Sequence, residues 1–529
     1  MANAALKVDK LPFPASSKTT DELEKIDGIG KSTAAKITEL LQTGTFAELE
    51  EMLEKTPAGV VEMMGIKGIG PKKVAIIWHE LGIENLGELY YACNENRLVE
   101  AKGFGFKTQE DIRKVIEFTM ASNGRYLYAK VEAEANALIA QIKLLLPDGL
   151  VEFAGQYRRR CEIIDELTIV IGSRNHETAF NTLLQPEILG EVKGEKNIVK
   201  GKLSNGLEVN LVCVENGDFY KELFIYTGDQ EHVKAVIENL AGDLNQPENE
   251  ELIYKKGGMA FIVPELREGT AFIAKAQTNK LPRLITLQDL KGSLHNHSTW
   301  SDGINTVEEM ALYCRDELKM EYLGMCDHSK SAFYAKGLSI ESVLNQQEEI
   351  DHLNKKLNGF HIFKGIESDI LYDGSLDYPD EILEKFDFIV ASVHSILKMD
   401  EEKATARLIK AIENPFTTIL GHPTGRLLLS RKGYPIDFKK VIDACAANRV
   451  VIEINANPLR LDLDWRWHQY ALEKGVWLSI NPDAHRKEGF LDMHYGIFAA
   501  RKGGLHKEMC LNALSLQEIT DFFKNNKKG

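Results

Sequence analysis

Two histidines spaced i, i+2, His295 and His297, end the short apolar stretch Gly292-Ser-Leu, and Ser301-Asp302-Gly303 follows. On an extended strand side-chain direction repeats every two residues, so both imidazoles point to one side, a geometry for chelation. The glycine lets the chain bend and return the Asp302 carboxylate toward the same space. Further donors recur downstream: Asp327-His328, Glu367 with Asp369, His394, His422, Asn455, and Asp483-Ala-His485. A lone histidine after a strand is most often a satisfied structural residue. Six histidines with at least three carboxylates resist that reading, because without a metal they would repel or stay unpaired. Mixed imidazole and carboxylate ligands suit manganese, zinc or iron better than magnesium or calcium, without choosing among them. Such ions acidify water and act as Lewis acids, which suits metal-assisted hydrolysis.

Each donor follows an apolar run. The runs are Gly292 to Leu294, Tyr322 to Met325, Phe360 to Ile366, Phe388 to Val393, Thr417 to Leu420, Val450 to Ile454 and Val476 to Ile480. Between them lie helix candidates: Thr306 to Leu318, Ser342 to Leu357, Glu402 to Glu413, Phe438 to Asn448 and Trp465 to Lys474. This alternation predicts parallel strands with helical crossovers, most simply a closed or nearly closed barrel. The C-terminal strand ends of such barrels converge on one face, so the donors are aimed at one cavity.

The N-terminal third carries a different pattern. Gly28-Ile-Gly30-Lys31 ends one apolar helical stretch and starts another, and the turn recurs at Gly68-Ile-Gly70-Pro71-Lys72 and, more weakly, at Gly103-Phe-Gly105-Phe-Lys107. Glycines let backbone N–H groups approach a phosphate closely, while the next helix adds its positive dipole end. One copy would read as a helix corner. Three, each beside a lysine, point to sequence-independent binding of a nucleic-acid backbone.

At 529 residues the chain exceeds what one core supports, so several domains are expected. The seven cysteines lack the close paired spacing of a disulfide framework or zinc ribbon, which reads as a reducing compartment. With no basic segment before an apolar run at the N-terminus and no span of roughly 18 apolar residues, the expectation is a cytoplasmic protein with no membrane partner. A net charge of −15 argues against coating nucleic acid through bulk charge and leaves a local basic face open.

The glycine turns are helix-hairpin-helix motifs, and their spacing resembles the N-terminal region of bacterial family X DNA polymerases. That family continues into a nucleotidyltransferase palm with Gly-Ser, an aromatic residue, two arginines and then Asp-x-Asp. Here the corresponding run is Gly155-Gln-Tyr157-Arg158-Arg159-Arg160, with Glu166 and Thr168 at the paired aspartates and Asn210 at the third. Two-metal phosphoryl transfer needs clustered anionic oxygens, which threonine and asparagine do not supply. Polymerase activity is therefore expected to be lost, with the palm kept as a scaffold. Tyr226-Thr-Gly228 and the junction at Pro264 to Glu268 and Leu281 to Ile285 also follow the family. The family's first helix is expected to be missing, leaving the first domain N-terminally shortened, since Asn3-Ala-Ala-Leu enters mid-pattern.

The C-terminal half resembles the polymerase and histidinol phosphatase (PHP) domain through His-x-His, Ser-Asp-Gly, Asp-His-Ser, Gly-Ile-Glu, Val-His-Ser, Gly-His-Pro and Asp-Ala-His. The resemblance implies up to three divalent transition metals, manganese or zinc, with iron a further candidate. His295, His297, Glu367 and Asp483 would hold one, Glu367 would bridge to a second with His394 and His422, and Asp302, His328 and His485 would hold a third. Asp302, His328, Glu367 and His485 are the candidate catalytic residues, the histidines for proton transfer. Asp327 and Asp369 are expected to orient histidines or cap strands, and Arg426 to contact substrate phosphate or form an ion pair.

The expected fold is multidomain: an N-terminal all-α helix-hairpin-helix region, an α+β nucleotidyltransferase-like palm and thumb, and a C-terminal α/β (β/α)7 PHP barrel. The boundaries are 1–85 for the first helix-hairpin-helix domain, 86–147 for a fingers-like one, 148–285 for the degenerate palm and thumb, and 286–529 for the barrel. DNA binding rests on Gly28, Gly30, Lys31, Gly68, Gly70, Lys72, Gly103, Gly105 and Lys107. By resemblance the activity is 3′ to 5′ exonuclease, with abasic-site endonuclease as a companion, in DNA repair. A small-molecule phosphomonoesterase of the histidinol-phosphatase type and a non-catalytic DNA-binding scaffold are the alternatives; the hairpins disfavour the first and the unaltered donor set the second.

Overall fold

The computed structural model describes residues 8, 11, 13–66, 68–99, 101–120, 124–185, 188–240 and 242–526. The segment at Asn3-Ala-Ala-Leu lies outside them. The chain forms two compact units, Met1–Leu89 and Tyr90–Gly529.

The first unit is helical. Helices Lys31–Thr43 and Pro71–His79 each start at a glycine N-cap, Gly30 and Gly70, with no side-chain cap bond. Gly28 and Gly68 have φ of +89° and +96°, a region open to glycine at no steric cost. In the second unit Gly103, at φ +88°, precedes helix Phe106–Met120 in the same way. Ile29 N–H donates to Ile26 O, Ile69 to Ile66 O and Phe104 to Ala101 O, so one turn geometry is built three times.

The second unit contains a two-stranded ribbon, a mixed sheet and a barrel. The ribbon pairs β1 (Tyr126–Leu127) with β3 (Ile163–Ile164). The mixed sheet has the order β2 (Leu150–Phe153), β4 (Glu166–Ser173), β7 (Glu208–Glu215), β6 (Ile198–Lys202), β5 (Gly190–Glu195). β4 and β7 run parallel, with Thr168 opposite Asn210 and Glu166 opposite Glu208. The remaining pairs are antiparallel.

Seven parallel strands follow in sequential order: β8 (Gly292–Ser293), β9 (Tyr322–Met325), β10 (His361–Asp369), β11 (Phe388–Ser392), β12 (Ile419–Leu420), β13 (Val451–Asn455) and β14 (Leu478–Asn481). Their near-continuous burial follows from crossover helices, among them Val307–Asp316, Ile340–Lys356, Glu401–Glu413 and Phe438–Asn448. The stretch expected to be one helix from Trp465 splits into a 3-10 turn, Trp465–Trp467, and helix His468–Glu473. β8 and β14 share no ladder, yet the gap is nearly closed. His297 N–H donates to Ala484 O at 2.9 Å, Leu294 N–H reaches Asn481 Oδ1, and buried Asn512 bonds Gly292 O and Ile480 N. Phe388 fills space beside Gly324 and Gly365, where a Cβ would come within 2.5 Å of its ring, and stacks on Phe523 of helix Leu516–Asn526. Apolar side chains thus pack the strands and leave polar ones for their C-terminal ends.

All seven cysteines are unpaired. Among the described residues no helix is long and apolar enough to cross a membrane.

Candidate metal centre

Glu367 is the hub of the buried cluster. It lies near the end of β10, whose backbone is locked to the neighbouring segment: Glu367 N–H donates to Asp327 O and Ser329 N–H to Glu367 O. Its carboxylate stands 2.9 Å from His328 Nδ1, 2.9 Å from His422 Nε2, 3.1 Å from His394 Nε2, 3.2 Å from His295 Nε2 and 3.6 Å from His297 Nε2. Asp302 reaches His485 at 3.3 Å and His328 at 3.5 Å, and Asp483 reaches His297 at 3.0 Å and His295 at 3.5 Å. Asp483 adopts φ +54°, an uncommon conformation for a residue with a Cβ and one that clusters at functional sites.

Three overlapping groups have donor atoms close enough to hold an ion: His297, Asp302, His328 and His485; His295, His297 and Asp483; and His328, Glu367 and His394. These memberships differ from the sets implied by resemblance, His297 and His328 each being shared; eight of the nine residues fall in them, and His422 joins through Glu367 at 2.9 Å. The donors fit metal. His295 Nε2, His297 Nδ1, both ring nitrogens of His328, His422 Nδ1, His485 Nε2, Asp302 Oδ2 and Glu367 Oε2 are buried without a hydrogen-bond partner among the described residues. Buried polar atoms are ordinarily satisfied, so such a concentration of orphans calls for a cation. The cluster is suited to divalent metal.

Electrostatics agree. Burial opposes charging of His394 and His485, yet the Glu367 and Asp369 carboxylates push His394 up to about 9, and Asp302 with Asp483 pushes His485 up to about 9. Burial, aided by His485 and His328, lowers His297 to about 4. Glu367, Asp302 and Asp483 are held well below the usual carboxylate range against burial, chiefly by neighbouring imidazoles.

Sequence reasoning missed Glu453. Fully buried in β13, it accepts His295 Nδ1–H at 2.7 Å and amide protons of Asn455 and Asn481, fixing which nitrogen His295 turns into the cluster. Its signal was a carboxylate inside the apolar run Val450 to Ile454. Asp369 does orient His394 through Nδ1. Asp327 orients no histidine; it accepts from Ser298, Ser301 and Gln346 and so pins the loop that carries Asp302. Arg426 is spent on Asp464 and the carbonyls of Arg460 and Leu461.

The palm is polar but occupied. Glu166 accepts a hydrogen bond from Asn210 at 2.9 Å, Thr168 is buried, and Asp165 is held by Arg125 and Gln156. Arg158 is bidentate to Glu250, Arg159 binds Glu268, and Arg160 lies over Phe498. At the hairpin turns Lys31, Lys72 and Lys107 are exposed, and a Cβ added at Gly30, Gly68, Gly70, Gly103 or Gly105 would meet nothing within 4 Å.

Barrel, buried donor cluster, mixed sheet and hairpin turns together define a PHP-containing polymerase-type protein. Residues 2–46 match the family described as helix-hairpin-helix domain, and residues 60–117 match SAM-like helix-hairpin-helix tandem. The chain is 33% identical to the DNA polymerase/3′-5′ exonuclease PolX of Bacillus subtilis over 99% of its own length and 94% of that protein. A probable phosphatase of Thermoanaerobacter sp. is 30% identical over 33% of the chain and 73% of the relative, and one of Acetivibrio thermocellus is 27% identical over 44% and 95%. The chain belongs to the PolX family, the bacterial family X DNA polymerases.

Proposed function

We propose that the chain hydrolyses DNA phosphodiesters from a 3′ end in the barrel, with abasic-site cleavage as a companion activity in repair, and that its palm positions DNA without polymerising it. The carrying observation is the set of orphaned donors around Glu367. Its domains are 1–85, 86–147, 148–285 and 286–529, and its setting is the cytoplasm. His295, His297, Asp302, His328, Glu367, His394, His422, Asp483 and His485 would hold up to three manganese or zinc ions. Bound there, such ions supply Lewis acidity toward phosphate and a water acidified for attack. Asp302 and Glu367 neutralise and shape the site; His328 and His485 serve proton transfer to the leaving oxygen. The relatives called phosphatases favour phosphomonoesters as a second reading, and competition between a DNA end and a small phosphomonoester in one assay separates the two.

The hairpin turns hold the DNA backbone irrespective of sequence through exposed N–H groups and Lys31, Lys72 and Lys107. Gly30 and Gly70 have φ of −85° and −91°, which alanine adopts freely. Gly30→Ala with Gly70→Ala therefore brings no backbone strain, and because alanine caps a helix less well than glycine the folding stability falls by no more than about 1 kcal/mol per site. The added methyls occupy the space where phosphate oxygens approach, so DNA affinity at low salt falls about tenfold in the double variant, the cost of roughly one good contact. Fluorescence anisotropy with two unrelated duplexes checks this; unchanged affinity refutes the assignment of these turns.

Primer extension on a templated duplex with magnesium or manganese should give no Glu166-dependent product, because Glu166 is bonded by the Asn210 amide and Thr168 faces Asn210, so two of the three positions that would carry aspartates are neutral. Extension abolished by Glu166→Ala would refute the scaffold role.

A further inference from the structure

Arg97 reaches the mouth of the cluster from a part of the chain far from the barrel in sequence. Asn96, at φ +56°, is held by Gln109 and donates to the backbone carbonyl of Asp302 at 3.4 Å, which anchors the segment on the donor site. The Arg97 guanidinium then lies 4.4 Å from the centroid of the Tyr334 ring and pairs with Glu95. The Tyr334 ring is in turn 6.1 Å from His328 and 6.5 Å from His394. The donors buried here without a hydrogen-bond partner among the described residues are Arg97 Nε and the Tyr334 hydroxyl; Glu95 Oε2 and Gln109 Oε1 are acceptors in the same condition. Glu95, the partner of Arg97, also lines a cleft of about 240 Å³ together with Arg113, Lys130, Asp483, His485 and Arg486.

A guanidinium with one side paired and Nε unused, next to an unpartnered phenol, is a donor pair awaiting an anion. Arginine suits a tetrahedral oxyanion because its planar fork offers parallel N–H groups, and burial strengthens each bond. Glu95 holds the side chain in place without using Nε, and the Asp302 and Asp483 carboxylates favour its positive charge.

We propose that Arg97 and Tyr334 form a clamp for the substrate phosphate, Arg97 Nε–H and the Tyr334 hydroxyl donating to its non-bridging oxygens. The clamp rests on the hydrolytic reading of the barrel, and it makes the site composite: the helical segment after Tyr90 supplies one of its binding groups.

The test uses the full metal-loaded chain and the variants Arg97→Gln, Arg97→Lys and Tyr334→Phe. Two readouts are taken: kcat and KM on a 5′-labelled DNA strand, and the thermal midpoint with and without inorganic phosphate. The clamp predicts that Arg97→Gln lowers kcat/KM about 10²-fold, mostly through KM, with metal content unchanged. Arg97→Lys recovers part of this, and Tyr334→Phe loses about tenfold. Phosphate raises the midpoint of the unaltered chain, and the rise disappears in Arg97→Gln. If the unaltered chain cleaves DNA while Arg97→Gln and Tyr334→Phe match it in KM and in the phosphate response, the clamp is refuted and the hydrolytic reading stands. If the unaltered chain cleaves no DNA, the hydrolytic reading fails, and the phosphate response still decides the clamp. Should Arg97→Gln not fold, Arg97→Lys and Tyr334→Phe carry both readouts.

Discussion

Glu367→Gln binds DNA like the unaltered chain and does not cut it. kcat/KM is expected to fall at least about 10³-fold, corresponding to the several kcal/mol of charge stabilisation that a metal site supplies. The glutamine keeps the shape of a side chain in contact with five imidazoles and removes the anion among them. Without it the five imidazoles lose the one carboxylate they share and keep Asp302, Asp369 and Asp483 at the edges, so metal content falls together with activity. Elemental analysis beside the cleavage assay checks both; full activity in Glu367→Gln would show that the cluster is not where the chemistry happens.

Glu453→Ala has the second largest effect, on stability as well as on metal. It strips His295 of its Nδ1 partner and leaves the amides of Asn455 and Asn481 facing a cavity. Removing one member of a buried charged pair costs about 3–5 kcal/mol. Loss of a partner that orients a ligand lowers metal affinity about 10–100-fold. Glu453→Gln, which still offers an oxygen to His295, should lie between Ala and the unaltered chain on both scales. Metal titration and thermal unfolding are the measurements, and an Ala variant with unaltered affinity would remove Glu453 from the site.

Much of the barrel was legible because its chemistry is periodic. Each apolar run from Tyr322 to Met325 through Val476 to Ile480 contains a strand, and a strand end is where a side chain can be polar and still face the cavity. His295 and His297 do enter one cluster, although β8 ends at Ser293 and only Asn296 between them makes a bridge, to Ala484. What escaped was set by contacts remote in sequence. Glu453 looks like an oddity inside a strand until His295, in a different strand, is placed against it. Arg97 has no local signal at all, since its meaning comes from Tyr334 and the anchor on Asp302. Arg426, beside His422 in sequence, turned out to serve Asp464 instead, because nearness along the chain does not fix where a long side chain points. Asp327 likewise works on the serine loop, not on its neighbour His328. The hairpin turns were readable from glycine spacing alone, because φ near +90° at Gly28, Gly68 and Gly103 leaves few other residues for the place.

The most direct test of the hydrolytic role is manganese-dependent digestion of a 5′-labelled duplex with a mismatched 3′ end, comparing the intact chain, His295→Ala and Glu166→Ala. A ladder of shortening products that is lost in His295→Ala and kept in Glu166→Ala is the predicted result. A ladder that survives His295→Ala, or no digestion by the intact chain with any divalent metal on mismatched or abasic DNA, would contradict it.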